Sequence, residues 1–459
     1  MDDTDKHVRY LKSYKPNDYF WGIGIENETY LEFSYKLDRS PQHIYTCHKP
    51  ERYSVDYFAG LDPEYKKLIK AIFPPNESIY RLPIYFNAHS LQKTDVSGNH
   101  ITTYEKVPKP NPLFMGKTIH EILCQAEPKV FKDRYKVNYM FDGDTIEFMT
   151  QKFYNTTVKK CIHELISEKH QFLHSLNRVF KKRRILQNLG PLHYPVRNEP
   201  FVTFLTNINN VGTFNNGTYH INLTLPTLLD ENLQPANKAN FVMKHKSAIR
   251  YIQYLEPLII SLYGTPDPFG AVSPKFSRAS QRVAASRYIS IGTYDTDTML
   301  TGKVLQLPLN ELSVAKNEFW WYTKFHSTSN YKPLEKIGLD VNFNKHGVHG
   351  IEIRFLDWFP EDRLYQLMET LVHLLDYSIF YGLPANPIHD PLWNQIVVKC
   401  LQNGPNTILN EEEYALYATI FNLPDKKKRF INEVYQQIEA RLREVKGQCT
   451  RLMLRNTWF

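Results

Sequence analysis

The chain lacks most of the short motifs by which nucleotide, metal and hydrolase sites are usually recognised. It has no GxxxxGK[ST] phosphate loop and no GxGxxG opening a helix, so any nucleotide must be held by another scheme. HExxH, GxSxG and zinc-type Cys/His spacings are also missing. Cysteine is scarce: the 5 residues Cys47, Cys124, Cys161, Cys400 and Cys449 include no CxxC pair. That argues against a cysteine zinc site and suggests reduced thiols in a cytosol-like compartment. No apolar run approaches the roughly 20 residues that a membrane helix needs. The opening MDDTDKHVRY has none of the apolar core of a secretory signal. Internal repeats and low-complexity segments are absent. The expectation is a cytoplasmic protein with no membrane partner.

What is present is ordinary globular material. The 459 residues are 42% hydrophobic, 23% charged and 14% aromatic, enough for one large domain with an appendage. Basic residues number 56 against 48 acidic, a net charge of +8. The excess suits an anionic ligand such as a nucleotide, or weak attraction to nucleic acid, and there is no polybasic tail. The sharpest basic cluster, Lys181-Lys182-Arg183-Arg184, reads as a helix C-terminus favoured by the helix dipole.

Periodicity gives a coarse map. FWGIGIENETYLEF (20–33) reads as an opening strand after a polar lead-in, and FDGDTIEFMT (141–150) as a turn into a strand. Residues 40–120 read as irregular loops and short strands. Helices are expected over 156–180 and 239–263, the latter kinked by Pro257. FVTFL, TYHINLTLP, RYISIG and GIEIRFLDWF read as further strands. After Pro360 the pattern turns helical, with a first helix stopped by Gly382 and a last one near 427–447. Strand groups with long helices between them and a helical tail indicate the α+β class.

The strands carry an unusual second face. Residues two apart share a side. In the opening strand Ile23, Ile25, Leu31 and Phe33 oppose Gly22, Gly24, Glu26 and Glu28, with the glycines expected to leave the carboxylates open to approach. The two Cα atoms lie roughly 7 Å apart, so both carboxylates can reach one cation or two neighbouring ones. His220, Asn222 and Thr224 oppose Ile221, Leu223 and Leu225; Glu352 and Arg354 oppose Ile351, Ile353 and Phe355; Glu147 alternates with Ile146 and Phe148. Asp142 and Asp144 stand in the turn before Glu147. Each pattern alone also fits a solvated strand face, an ion pair or a hairpin. Combined on one sheet they would make an acidic floor for divalent cations. From Pro268 to Tyr294 there is no acidic residue, and Lys275, Arg278, Arg282 and Arg287 lie there. That segment fits either a basic surface loop or the phosphate side of a metal–nucleotide site.

The ordered set GIENE (24–28), DGDTIEFMT (142–150), YHINLTLP (219–226), the arginines of 278–287 and GIEIRFLDW (350–358) resembles the glutamine synthetase-like carboxylate–amine ligase superfamily, among which glutamate–cysteine ligases and amidoligases are most similar. The resemblance spans about residues 20–360. It implies a glutamine synthetase-like catalytic domain over 1–360, a curved, mainly antiparallel sheet flanked by helices; the C-terminal helical region over 361–459, read from its apolar spacing and expected to pack on that domain, lies outside the resemblance. It implies ATP with Mg²⁺ or Mn²⁺ as cofactors, and as partners a carboxylate and an amine, small molecules or protein side chains. The metal ligands it implies are Glu26, Glu28, Asp142 (or Asp144), Glu147, His220 and Glu352. Cofactor contacts would come from His220, Asn222, Arg278, Arg282, Arg287 and Arg354, and the catalytic set would be Arg354, Arg287 and Glu352. The expected reaction is ATP-dependent amide or peptide bond formation through an acyl phosphate. The rivals are a guanidino kinase-like phosphotransferase and a non-catalytic binding protein that kept the fold.

Overall fold

Alternating apolar residues build the strands, and the computed structural model gives their pairing. It describes residues 15–34, 37–39, 80–92, 117–143, 145–199, 201–205, 207–213, 216–271, 276–288, 293–299, 340–343, 350–424 and 429–455. The strands are β1 (Tyr19–Thr29), β2 (Leu31–Phe33), β3 (Leu37–Arg39), β4 (Tyr80–Leu82), β5 (Ile84–Phe86), β6 (Tyr139–Asp142), β7 (Thr145–Met149), β8 (Leu192–His193), β9 (Phe201–Phe204), β10 (Asn207–Thr213), β11 (Gly217–Leu228), β12 (Val341–Phe343) and β13 (Ile351–Asp357). The helices are α1 (Ala88–Gln92), α2 (Ile119–Ala126), α3 (Pro128–Phe131), α4 (Val158–Arg183), α5 (Lys238–Tyr263), α6 (Gln281–Tyr288), α7 (Leu364–Tyr381), α8 (Pro391–Asn403), α9 (Glu411–Phe421), α10 (Ile431–Glu444) and α11 (Gln448–Met453).

A six-stranded sheet in the order β12-β13-β11-β1-β7-β6 is antiparallel throughout. Its apolar face, with Ile23, Ile25, Ile221 and Ile353, is fully buried beneath α4 and α5. A second sheet, β10-β9-β5-β2-β8, contains one parallel pair, β5 with β9. The fold is thus mixed α and β, with an antiparallel sheet flanked by helices.

Several expectations are corrected. Residues 20–33 are not one strand: the chain leaves the large sheet at Tyr30 and enters the small one as β2. Tyr30 packs there with Tyr85 and Phe204. Arg287 and Tyr288 of RYISIG, expected to open a strand, form the end of a helix, α6; 289–292 lies outside the described residues. A short helix, α11, follows the helix that was expected to be last. Of the stretch 40–120, the described part holds β4, β5, α1 and the start of α2.

α5 runs as a single helix across Pro257. Proline has no N–H to give the carbonyl four residues back. That carbonyl, of Gln253, instead accepts the indole N–H of fully buried Trp393 in α8 at 2.9 Å. The helices after Pro360 therefore complete the packing of α5. One buried cluster runs from Ile23 to Met453 and includes residues on both sides of Pro360. At the other end of the scale, 181–184 lie exposed at the last turn and cap of α4, which is the helix-terminal role.

Candidate metal and phosphate site

The four charged strand stretches become neighbours. Register sets Glu26 opposite His220 and Glu28 opposite Glu147. Asn222 stands opposite Glu352, and Asn342 of β12 opposite Glu352 on its other side. Residues opposite one another share a face. Glu26, Glu28, Glu147, His220, Asn222 and Glu352 therefore project from one side of one sheet. They line a cavity of about 320 Å³, with Asp142 and Arg354 on its wall.

A β-bulge shapes the β13 side. Tyr219 pairs with Leu356 and Ile221 with Ile353, so Arg354 and Phe355 together oppose His220. Such a bulge shifts the alternation and re-aims side chains. Beyond it Leu356 is buried opposite Tyr219, and Asp357 stands opposite Thr218, on the side that carries Glu28. The simple alternation of the sequence does not reveal this.

Hydrogen bonds hold the acids in place. His220 Nδ1 lies 3.3 Å from Glu26 Oε2, and Nε2 lies 3.7 Å from Glu28 Oε1. Arg354 Nη1 donates to Glu352 Oε1 at 2.8 Å, and Asn342 Nδ2 donates to Glu352 Oε2 at 2.8 Å. One ligand atom each of Glu26, His220 and Glu352 lies within 4.8 Å of the others. His220 Nε2 and Arg354 Nε are buried without a hydrogen-bond partner. Buried polar atoms are normally satisfied, so each such orphan calls for a reason. Oxygen donors with one imidazole suit Mg²⁺ or Mn²⁺, and the orphaned His220 nitrogen fits a site built to receive a cation.

The charges are strongly coupled. Burial pushes the Glu28 carboxyl up, but the charges of His220, Arg282 and Arg354 outweigh it and leave it below the usual range. Asp142, at the cavity mouth, is raised by partial desolvation and then by Glu28. Burial lowers Arg354, yet Glu352 and Glu28 more than compensate and raise it overall.

The basic segment divides. Arg282 stands near the site: Glu28 and Arg354 both act on its charge, while burial and Arg354 lower its pKa. Its backbone N–H donates to Asp357 Oδ1 at 3.2 Å, which ties α6 to β13. Arg278 is turned elsewhere. It is exposed, its Nε donates to the carbonyl of Gly270, and its backbone N–H to Leu401, and it does not line the cavity. The side chain of Arg287 and all of Asp144 and Lys275 lie outside the described residues.

The glycines do not leave the approach open as expected. A Cβ on Gly24 would lie 2.2 Å from the Phe153 ring, and one on Gly22 would lie 3.2 Å from Tyr154. Both rings line the cavity, so the glycines admit two aromatic side chains against β1. Phe153, Asn342 and Asp357 are the site neighbours that the sequence reading missed. Two glycines spaced by two in a strand were a usable signal for the first. The other two depend on non-local pairing.

The fold and site define a mixed α/β protein with an acidic, histidine- and arginine-bearing sheet face. No helix among the described residues is long and apolar enough to cross a membrane. No family model matches the chain. It is 41% identical over 423 residues to the uncharacterized protein R704 of Acanthamoeba polyphaga mimivirus, which covers 92% of this chain and 74% of that protein. The chain belongs to the same family as that viral protein.

Proposed function

We propose that the protein is an ATP- and Mg²⁺- or Mn²⁺-dependent carboxylate–amine ligase of the glutamine synthetase-like kind. One observation carries the reading: four adjacent strands contribute their acids, histidine and arginine to one face around one cavity. Glu26, Glu28, Glu147, His220 and Glu352 would hold the ion, which when bound neutralises charge on the ATP phosphates. Arg354 is held at Glu352 with its Nε unengaged, so its guanidinium can donate to the oxygens of the transferred phosphoryl group. A substrate carboxylate oxygen attacks the γ-phosphorus, the bond to the bridging oxygen breaks, and ADP leaves. An amine then attacks the acyl phosphate carbon, the carbon–oxygen bond to phosphate breaks, and inorganic phosphate departs with the proton that the nitrogen loses. Arg282 adds a second cation near Glu28 and Arg354, placed to stabilise developing negative charge. No cysteine is needed, and Cys161, Cys400 and Cys449 are buried away from the cavity.

The test is phosphate release from ATP and Mg²⁺ across amino acids, polyamines and ammonia, with Glu28→Gln as control. Release that requires a carboxylate–amine pair and is lost in the variant supports the ligase. A stable phosphorylated product without free phosphate would identify a phosphotransferase instead. Absence of any ATP binding would overturn both and favour the non-catalytic alternative.

A further inference from the structure

A second cavity, of about 420 Å³, opens between α7, α10 and α11 and shares no lining residue with the first. Arg443, Lys446, Arg451 and Arg455 line it, against a single carboxylate, Glu369. Arg443 lies 3.4 Å from that carboxylate. Lys446, Arg451 and Arg455 have no ion-pair partner among the described residues. Four cations facing one concavity with one counter-charge repel one another, an arrangement that favours a bound anion.

The four cationic side chains are exposed, and the backbone turn beside Lys446 and Arg451 is fixed. Asp376 of α7 accepts the backbone N–H groups of Gly447, Cys449 and Thr450 at 2.9, 2.9 and 2.7 Å, which fixes the turn from α10 into α11. That carboxylate is therefore engaged by the turn rather than by the cations. His373, only 5% exposed, also lines the cavity. Its Nδ1 meets Thr450 Oγ1 at 3.4 Å, while Nε2 makes no hydrogen bond among the described residues. Tyr365 and Leu454 supply an apolar wall.

We propose that this cavity binds a small phosphate-bearing anion, separately from the sheet site. Three guanidinium forks and one ammonium match several phosphate oxygens better than one carboxylate. The unengaged His373 nitrogen can share a proton with a phosphate, and the volume falls in the range of small-ligand pockets. The chemistry fits inorganic polyphosphate and a nucleoside monophosphate alike, so the probes must separate them.

Isothermal titration of the full chain in EDTA, with pyrophosphate, tripolyphosphate and AMP as probes, tests this. The expected result is one saturable site for at least one probe, weakened at least 10-fold in Arg451→Glu/Arg455→Glu and by raised salt. His373→Gln should weaken it too, and Glu28→Gln should leave it unchanged. Tighter AMP binding would assign the Tyr365 and Leu454 wall to an organic moiety; tighter polyphosphate binding would assign the site to phosphates alone. Should the charge reversals lower the melting temperature, Arg451→Gln/Arg455→Gln replaces them. Saturation by none of the probes, an affinity indifferent to these variants, or a loss in Glu28→Gln would overturn the proposal.

Discussion

Glu28 sits where opposing effects meet, and the favourable charges win. Burial disfavours its charge, while His220, Arg282 and Arg354 favour it. The adjacent carboxylate of Glu147 faces it across the register. Glu28→Gln keeps the shape and removes one of two like charges. The expected outcome is a loss of phosphate release by about 10²-fold or more, with the melting temperature somewhat lowered, because the charge that His220, Arg282 and Arg354 favour is gone. Wild-type turnover in the purified variant would remove Glu28 from the reaction. Arg354→Lys tests geometry instead. Lysine keeps the charge but lacks the planar fork that can hold Glu352 and a phosphoryl oxygen together, so a loss of similar size is expected. Turnover within a few-fold of wild type would make Arg354 a structural partner of Glu352. Gly24→Ala tests packing, because its Cβ would lie 2.2 Å from the Phe153 ring. Overpacking of this sort costs about 1–3 kcal/mol, measurable by urea unfolding. The loss should be largely recovered with Phe153→Leu, and no loss in the single variant would mean that the ring moves freely.

At the level of elements, α5 and α8 share one bond that neither helix could supply alone. Trp393→Phe keeps most of the buried volume and deletes the N–H that serves the Gln253 carbonyl. An unsatisfied buried carbonyl costs about 1–3 kcal/mol. Pro257→Ala returns an N–H four residues on, so it should recover stability in the Trp393→Phe background and much less in the wild type. Equal effects of Pro257→Ala in both backgrounds would refute the pairing. This bond also marks how far the sequence could be read. The acidic strand faces were legible because a period of two is a local signal that survives any topology. That the four strands lie side by side was not, since sheet order is set by contacts between residues far apart in the chain. The bulge at Arg354 and Phe355 was hidden for the same reason. The 281–288 helix was hidden by composition: a stretch without acids and rich in serine and arginine looks like a loop, and its N-terminal turn is anchored by a carboxylate on a distant strand.

That carboxylate, Asp357, links the site to the stability of the whole molecule. It lies in β13, and its oxygens accept backbone N–H groups from Arg282 in α6 at 3.2 Å and from Thr265, just past α5, at 3.4 Å. Three segments distant in sequence thus meet on one buried acid. Burial pushes its pKa up from 3.8 to about 6, despite hydrogen bonds from Ser280, Arg282 and Thr265 that pull it down. Between those values the folded protein holds a proton that the unfolded chain has released. Stability from this group therefore falls as pH rises from about 4 to about 6 and is level above. The expected size is roughly 1 to 1.5 kcal/mol gained between about pH 7.5 and about pH 5. Glu28 runs the other way, since its lowered pKa gives stability that is lost on acidification below its unfolded value. The comparison that isolates Asp357 is therefore urea unfolding of wild type and Asp357→Asn at both pH values. Asparagine cannot titrate, so wild type should gain on the variant as pH falls. Parallel pH dependence of the two proteins would mean that Asp357 is ionised throughout, and that its bonds to Arg282 and Thr265 outweigh its burial.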